Sequence, residues 1–155
     1  MKLSAGIMIR KIVVLSLLLA GCAAQKPSKT QGIAGEVRWV EGNLMPAIND
    51  TTYAQRAKGT PISKEIYIYK ATKMKDTHQG VFFQNISSPL ARRVQTDEQG
   101  KFKVDLPPGK YSLFVKEKEG LFASTFDGDG YINPVQVEVG EYAQITILVN
   151  YKAFY

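Results

Sequence analysis

The segment Lys101-Phe-Lys-Val-Asp-Leu106 alternates strictly between charged and apolar residues. Successive side chains of an extended strand point to opposite faces, so this pattern gathers Phe102, Val104 and Leu106 on one side and sends the charges to water. A helix would scatter the same three residues around its circumference. The period of two recurs along the chain. Tyr111, Leu113 and Val115 share a face, as do Val37 with Trp39, and Ile66 with Ile68, the latter two opposite Tyr67 and Tyr69. Val135, Val137 and Val139 repeat the pattern, and Ile145, Ile147 and Val149 point inward from a last strand over Gln144–Tyr151. Arg93–Thr96 leads through Asp97-Glu-Gln-Gly100, expected as a hairpin turn whose glycine takes a positive φ. Pro107-Pro108-Gly109 closes the Lys101 strand, since proline supplies no ladder donor. With a weak strand near Val81–Gln84 included, seven strands are predicted, and no helix long enough to cover a sheet. Two sheets packed face to face bury such stripes most simply, which predicts an all-β sandwich with a small barrel as the alternative.

The start of the chain obeys other rules. Lys2, Arg10 and Lys11 precede the apolar run Ile12–Ala20, which is too short to span a bilayer comfortably as a mature helix and has the form of a secretion signal. It ends in Leu18-Leu-Ala-Gly-Cys22, where Ala20 and Gly21 give a peptidase an uncrowded backbone just before the cysteine. This resembles the bacterial lipobox, which implies a lipoprotein cut before Cys22, with diacylglyceryl and a further fatty acyl chain such as palmitate on that residue. Several acyl chains hold a protein at a membrane where one would let it go. Cys22 is the sole cysteine, so its acylation leaves no thiol nucleophile, no disulfide and no cysteine metal cluster. Ala23 and Ala24 follow without an adjacent aspartate. By resemblance to known sorting rules, that implies a bacterial cell-envelope protein at the outer membrane, facing the periplasm.

Removing Lys2, Arg10 and Lys11 from the 20 basic residues leaves 17 against 14 acidic ones, a net charge of +3 for the mature part. Stretches such as Lys116-Glu-Lys-Glu119 mix the signs, and no basic stripe of the kind nucleic acid needs is present. The organisation read from these features is a signal peptide over residues 1–21, a lipidated cysteine and polar tether over 22–31, and one β domain over 32–155.

Thr96-Asp-Glu-Gln-Gly-Lys-Phe-Lys-Val-Asp-Leu-Pro-Pro-Gly-Lys-Tyr-Ser-Leu-Phe-Val115 resembles the signature of carboxypeptidase regulatory-like domains, which are similar in fold to transthyretin. There an aspartate–glycine turn precedes one strand and a proline–glycine turn precedes a tyrosine-led strand. Gly35-Glu-Val37 and Ile66-Tyr-Ile-Tyr69 fit the same plan. The resemblance implies a seven-stranded transthyretin-like or immunoglobulin-like β-sandwich and a module that is not itself catalytic. This chain departs from the common arrangement by standing alone behind a lipobox and by carrying a long segment from Gly42 to Ser63.

Candidate sites fall outside the clean strands. His78, the one histidine, sits in the polar segment Lys75-Asp-Thr-His-Gln79 without the partners a zinc site or a triad needs. Phe126-Asp-Gly-Asp-Gly-Tyr-Ile132 is similar to the middle of a calcium loop, in which Asp127 and Asp129 are the weak metal candidates. Thr125 and Gln136, at the first and twelfth loop positions, depart from that pattern, and Asp-Gly pairs form turns without a metal. No other cofactor is expected. Trp39-Val-Glu-Gly-Asn-Leu-Met-Pro46 nominates Asn43, Leu44 and Met45 either as a displayed loop or as cover for the end of the sandwich, with Trp39 expected to pack. Leu121-Phe-Ala-Ser-Thr-Phe126 nominates Phe122 and Phe126 as partner-binding residues, or as one more strand. Tyr151, Phe154 and Tyr155 are expected to dock on the domain, while Tyr67 and Tyr69 offer rings on which sugar stacks.

Three function classes follow. The first is a non-catalytic accessory or structural module, anchored to the membrane and binding another envelope protein. The second is a periplasmic lipoprotein that binds glycan or peptide, which requires a concave pocket with converging polar groups. The third is a hydrolase, which requires His78 or clustered carboxylates beside a nucleophile in a cleft.

Overall fold

The computed structural model describes residues 30–77 and 80–155. Residues 1–21, Cys22, most of the tether and His78 lie outside the described residues. The chain forms a mostly β, two-sheet sandwich with the element order β1 Gly32–Asn43, α1 Tyr53–Lys58, β2 Thr60–Pro61, β3 Glu65–Lys70, β4 Leu90–Gln95, β5 Lys101–Asp105, β6 Gly109–Lys116, β7 Leu121–Phe122, β8 Pro134–Val137 and β9 Tyr142–Phe154. A single 3₁₀ turn lies at Met74–Asp76.

The first sheet is built on β1, whose residues 32–36 pair antiparallel with β5 and parallel with β9, so those two strands flank it. The two-residue β2 pairs farther along, at Arg38 and Trp39. Gly35 permits this close parallel pairing, because a Cβ there would come within 2.1 Å of the Ile145 carbonyl oxygen. The second sheet has the order β4–β3–β6, with β8 and β7 pairing opposite ends of β6. Between the sheets lie Ile33, Val37, Ile66, Ile68, Phe102, Leu106, Tyr111, Leu113, Val115, Val137, Ile147 and Val149, with Trp39, Val104 and Ile145 partly buried against them. These are the positions that the period of two sends inward.

Several expectations are corrected. Asp97–Gly100 is a tight turn, closed by the Gly100 N–H to the Asp97 carbonyl at 3.0 Å and by the Lys101 N–H to Asp97 Oδ1 at 2.7 Å. Gly100 has φ +72° there. Yet the turn joins β4 of one sheet to β5 of the other, so it is an arch between sheets and not a hairpin within one. Val81–Gln84 is not a strand; Phe83 makes a single antiparallel bridge with Leu121. Val139 is exposed because β8 ends at Val137, before the turn at Gly140. Of the terminal aromatics only Tyr151 docks, in edge contacts with Trp39, Phe82 and Phe122 at ring distances of 5.0–5.2 Å. Phe154 and Tyr155 are largely exposed, the Tyr155 hydroxyl accepting one hydrogen bond from the Asn150 side-chain amide at 2.7 Å.

A layer the alternation does not announce covers the far face of the second sheet. Residues 71–77, 80–89 and 117–133 fold over β3 and β6 and enclose a second apolar cluster of Phe83, Phe114, Ala123 and Ile132, flanked by Tyr67, Tyr69, Met74, Ile86 and Leu121. β6 is therefore buried on both faces, Ser112 and Phe114 being as inaccessible as Leu113.

Candidate functional site

The nominated partner-binding residues divide by burial. Asn43 ends β1 in solvent, its Oδ1 accepting the Met45 N–H at 2.8 Å, and Met45 is exposed. Leu44 is only 3% exposed and its N–H donates to the Phe154 carbonyl at 2.7 Å, so its side chain belongs to the interior. Phe122 is 4% exposed and packs on Tyr151. Leu44 thus belongs to the interior, while Phe122, nearly inaccessible, takes part only as lining of the groove beside Phe126. Phe126, by contrast, is 48% exposed. Tyr67 and Tyr69 are half-buried, with Arg93 4.6 Å over the Tyr67 ring and Phe114 in a T-shaped contact with Tyr69 at 5.7 Å.

Phe126 belongs to a groove of about 340 Å³ that sequence reasoning missed. One wall is the end of β9, with Asn150, Tyr151 and Ala153; the other comes from the outer layer, with Val81, Phe83, Phe122 and Phe126. Val81 is 61% exposed and, among the described residues, no charged one lines the groove. The Ser124 hydroxyl, also in its lining, donates to the Leu148 carbonyl of β9 at 3.1 Å. Only the apolar run around Phe122 and Phe126 was visible in the sequence. Val81 and Ala153 join it through tertiary contact, which no local pattern encodes.

The titratable groups that meet are paired with one another. Glu117, buried at the end of β6, faces Lys64 Nζ with both carboxylate oxygens, at 2.8 and 2.9 Å, and accepts the Tyr151 hydroxyl at 3.3 Å. Burial, followed by the adjacent Glu117 charge, pushes the Tyr151 hydroxyl pKa up. At the opposite end, Lys110 Nζ lies 2.8 Å from Asp127 Oδ2 and 3.8 Å from the Tyr131 ring centre. Asp127 Oδ1 meanwhile accepts the N–H groups of Asp129 and Tyr131 at 3.1 and 2.8 Å. That is a turn held by its own aspartate. The Lys110 ammonium holds the Asp127 carboxyl below the ordinary aspartate range, and Asp127 raises Lys110 in turn. Both Asp127 oxygens are engaged by protein donors, and no group of three or more metal-ligating side chains occurs among the described residues. On the small helix side, Arg56 clamps Asp50 at 2.5 Å and, with Thr52, holds its carboxyl far below the usual range.

A second depression, of about 550 Å³, lies on the solvent face of the first sheet over Ala34 and Gly35, rimmed by Glu36, Lys101, Lys103, Gln144 and Thr146. It exists because Ala34 and Gly35 leave a gap among long side chains.

No protein-family model matches the chain, and no curated protein matches it in sequence. Among solved structures, the crystal structure of (S)-allantoin synthase aligns with a TM-score of 0.34 and 11% identity, over 79% of this chain. The chain spans 42% of the length of that protein. A likeness at this level carries no argument about activity. No helix among the described residues is long and apolar enough to cross a membrane.

Proposed function

We propose that the chain is a membrane-anchored, non-catalytic module, held at the bacterial outer membrane by lipid on Cys22, that binds another cell-envelope protein. The finer form of the fold in this reading is the transthyretin-like sandwich of carboxypeptidase regulatory-like domains, its seven longer strands accompanied by the two-residue β2 and β7, and it is supported by the Thr96–Val115 motif. The observation that carries the binding reading is the uncharged groove beside Phe126. Exposed apolar side chains are a cost to an isolated domain, and a concave apolar patch on a mixed-charge surface is a common mark of a protein contact.

The test is crosslinking in intact envelopes followed by mass spectrometry, comparing wild type with Phe126→Glu. A specific envelope protein, enriched with wild type and lost with Phe126→Glu, is expected. No enriched protein despite correct anchoring and efficient crosslinking sinks this reading. The anchor is tested separately: Cys22→Ser should leave unprocessed precursor, and normal processing with membrane retention would refute lipidation.

One feature favours a second reading, a glycan- or peptide-binding lipoprotein. The depression over Ala34 gathers Glu36, Lys101, Lys103, Gln144 and Thr146 within reach of a polar ligand. Its broad opening to solvent ranks it second, since small-molecule sites enclose most of their ligand.

A further inference from the structure

Sheet edges carry unpaired backbone groups, and proteins usually blunt them with charge. The edge of the second sheet at β4 carries Arg92 and Arg93, and β5, at one edge of the first, carries Lys101, Lys103 and Asp105. β9 is the other edge of the first sheet: it pairs with β1, and no other described strand pairs with it. From Tyr142 to Tyr151 it holds no charged residue and no proline. Protection by charge or proline is therefore missing along most of the longest strand among the described residues.

The Ser124 hydroxyl marks which backbone groups are open. It donates to the Leu148 carbonyl from the outer layer, the kind of bond an N–H of an adjacent strand would supply. Backbone groups of alternate residues turn to the same side of a strand, so Gln144 and Thr146 project with Leu148. Just beyond, the apolar groove opens along Asn150, Tyr151 and Ala153. Two features disfavour a second copy of β9 as the occupant. Val40 of β1 lies opposite both Asn150 and Tyr151 of β9, a bulge that interrupts a flat edge, and Lys152 follows it. Both limit long edge-to-edge pairing but leave room for a short strand.

We infer that β9 accepts a short, extended, uncharged segment of a partner protein by strand addition, paired at Gln144, Thr146 and Leu148, with an apolar side chain of that segment seated between Val81 and Phe126. Main-chain bonds would supply affinity and the groove would select the side chain, the division of labour general to strand addition. The inference rests on the accessory-module reading and specifies its contact.

The test uses the purified full chain in detergent and a labelled octapeptide of alternating valine and threonine, followed by fluorescence anisotropy. Saturable binding is expected. It should weaken about tenfold with Phe126→Glu, as expected for losing roughly one anchored apolar side chain. It should strengthen about threefold with Ser124→Ala, which removes the hydroxyl competing for the Leu148 carbonyl. A peptide N-methylated at alternate backbone nitrogens, in either of the two registers, should bind at least tenfold more weakly in one of them. Equal binding in both registers would show that no ladder forms and would overturn strand addition. So would the absence of saturation up to about 1 mM, where binding energy falls to roughly 4 kcal/mol. A concentration-dependent dimer in sedimentation, lost with Phe126→Glu, would assign the groove to a second copy and likewise overturn it. If the peptide fails to bind while crosslinking still recovers an envelope partner, strand addition is wrong and the accessory reading stands.

Discussion

Between the two sheets, the interior is made mostly of side chains that alternate along their strands, and each of them except Leu106, just past β5, is placed by ladder pairing on at least one side. On the opposite face of the second sheet, Phe114 is just as buried, yet its cover comes from residues 71–77, 80–89 and 117–133, which are mostly irregular. Three single bridges, Lys73–Tyr131, Phe83–Leu121 and Phe126–Ile132, replace a ladder there. The buried Ser112 hydroxyl anchors the layer to β6, accepting the Thr72 N–H at 2.9 Å, and the Ile132 N–H reaches the Thr72 carbonyl at 2.9 Å. Comparable burial is thus reached by two routes, regular pairing on one face and a few side-chain and bridge contacts on the other. The route matters because the outer layer also supplies the Val81 and Phe126 wall of the groove, so the candidate contact stands on the less regularly held face.

The comparison makes its largest demand at neighbouring positions of one strand. Leu113→Ala, which opens a cavity between the sheets, and Phe114→Ala, which opens one under the outer layer, should each cost about 3–4 kcal/mol in urea unfolding. If Phe114→Ala costs under about 1 kcal/mol, the outer layer is draped rather than packed and the equivalence fails. Next comes Lys64→Met, which leaves Glu117 without its ammonium. A fully buried broken pair costs about 3–5 kcal/mol, but Lys64 keeps 29% of its side chain in solvent, so a loss of about 2 kcal/mol is expected in the same assay. Ser112→Ala should cost about 1–2 kcal/mol, by stranding the Thr72 N–H. Its effect should be concentrated in the outer layer, where faster amide exchange at Ile132 than at Ile68 would show it, and uniform acceleration across both faces would contradict a local anchor.

Period-two reading assigns a residue to a side of a strand but leaves open whether that side is covered. It therefore identified Tyr111, Leu113 and Val115, and their partners in β5 and β9, while leaving Ser112 and Phe114 facing solvent by default. The turn at Asp97–Gly100 was legible from its residues, but the sheet each flanking strand would join was not, because that depends on pairing partners distant in sequence. The candidate site divides the same way. Phe126 stood out as an apolar residue beyond the strands, whereas Leu44 and Phe122 looked equivalent to it until packing separated them. The open edge of β9 is a property of what does not pair with it, and no local pattern carries that information.

The smallest effect probes how the outer layer is fastened at its far end. Lys110 of β6 holds Asp127 of the layer, and Asp127 in turn holds the amides of Asp129 and Tyr131. Because the Asp127 carboxyl is held below its ordinary value, chiefly by hydrogen bonding to Lys110, the contact stabilises the fold in full above the unfolded aspartate pKa of about 3.9. It is lost as pH falls through the lower folded value. Lys110 is displaced in the opposite direction, so the same contact also holds up to the unfolded lysine value of about 10.4 and is lost as pH rises through the higher folded one. In an acid titration followed by NMR, the Asp129 and Tyr131 amide shifts should move with a midpoint below 3.9, while the Leu113 amide between the sheets stays still. Lys110→Met should return that midpoint toward the ordinary aspartate value. A midpoint already there in the wild type would mean that Lys110 does not fasten the layer, leaving Ser112 and the bonds of Ala71 and Asn133 to the Lys110 and Leu113 backbone as its attachment to the second sheet.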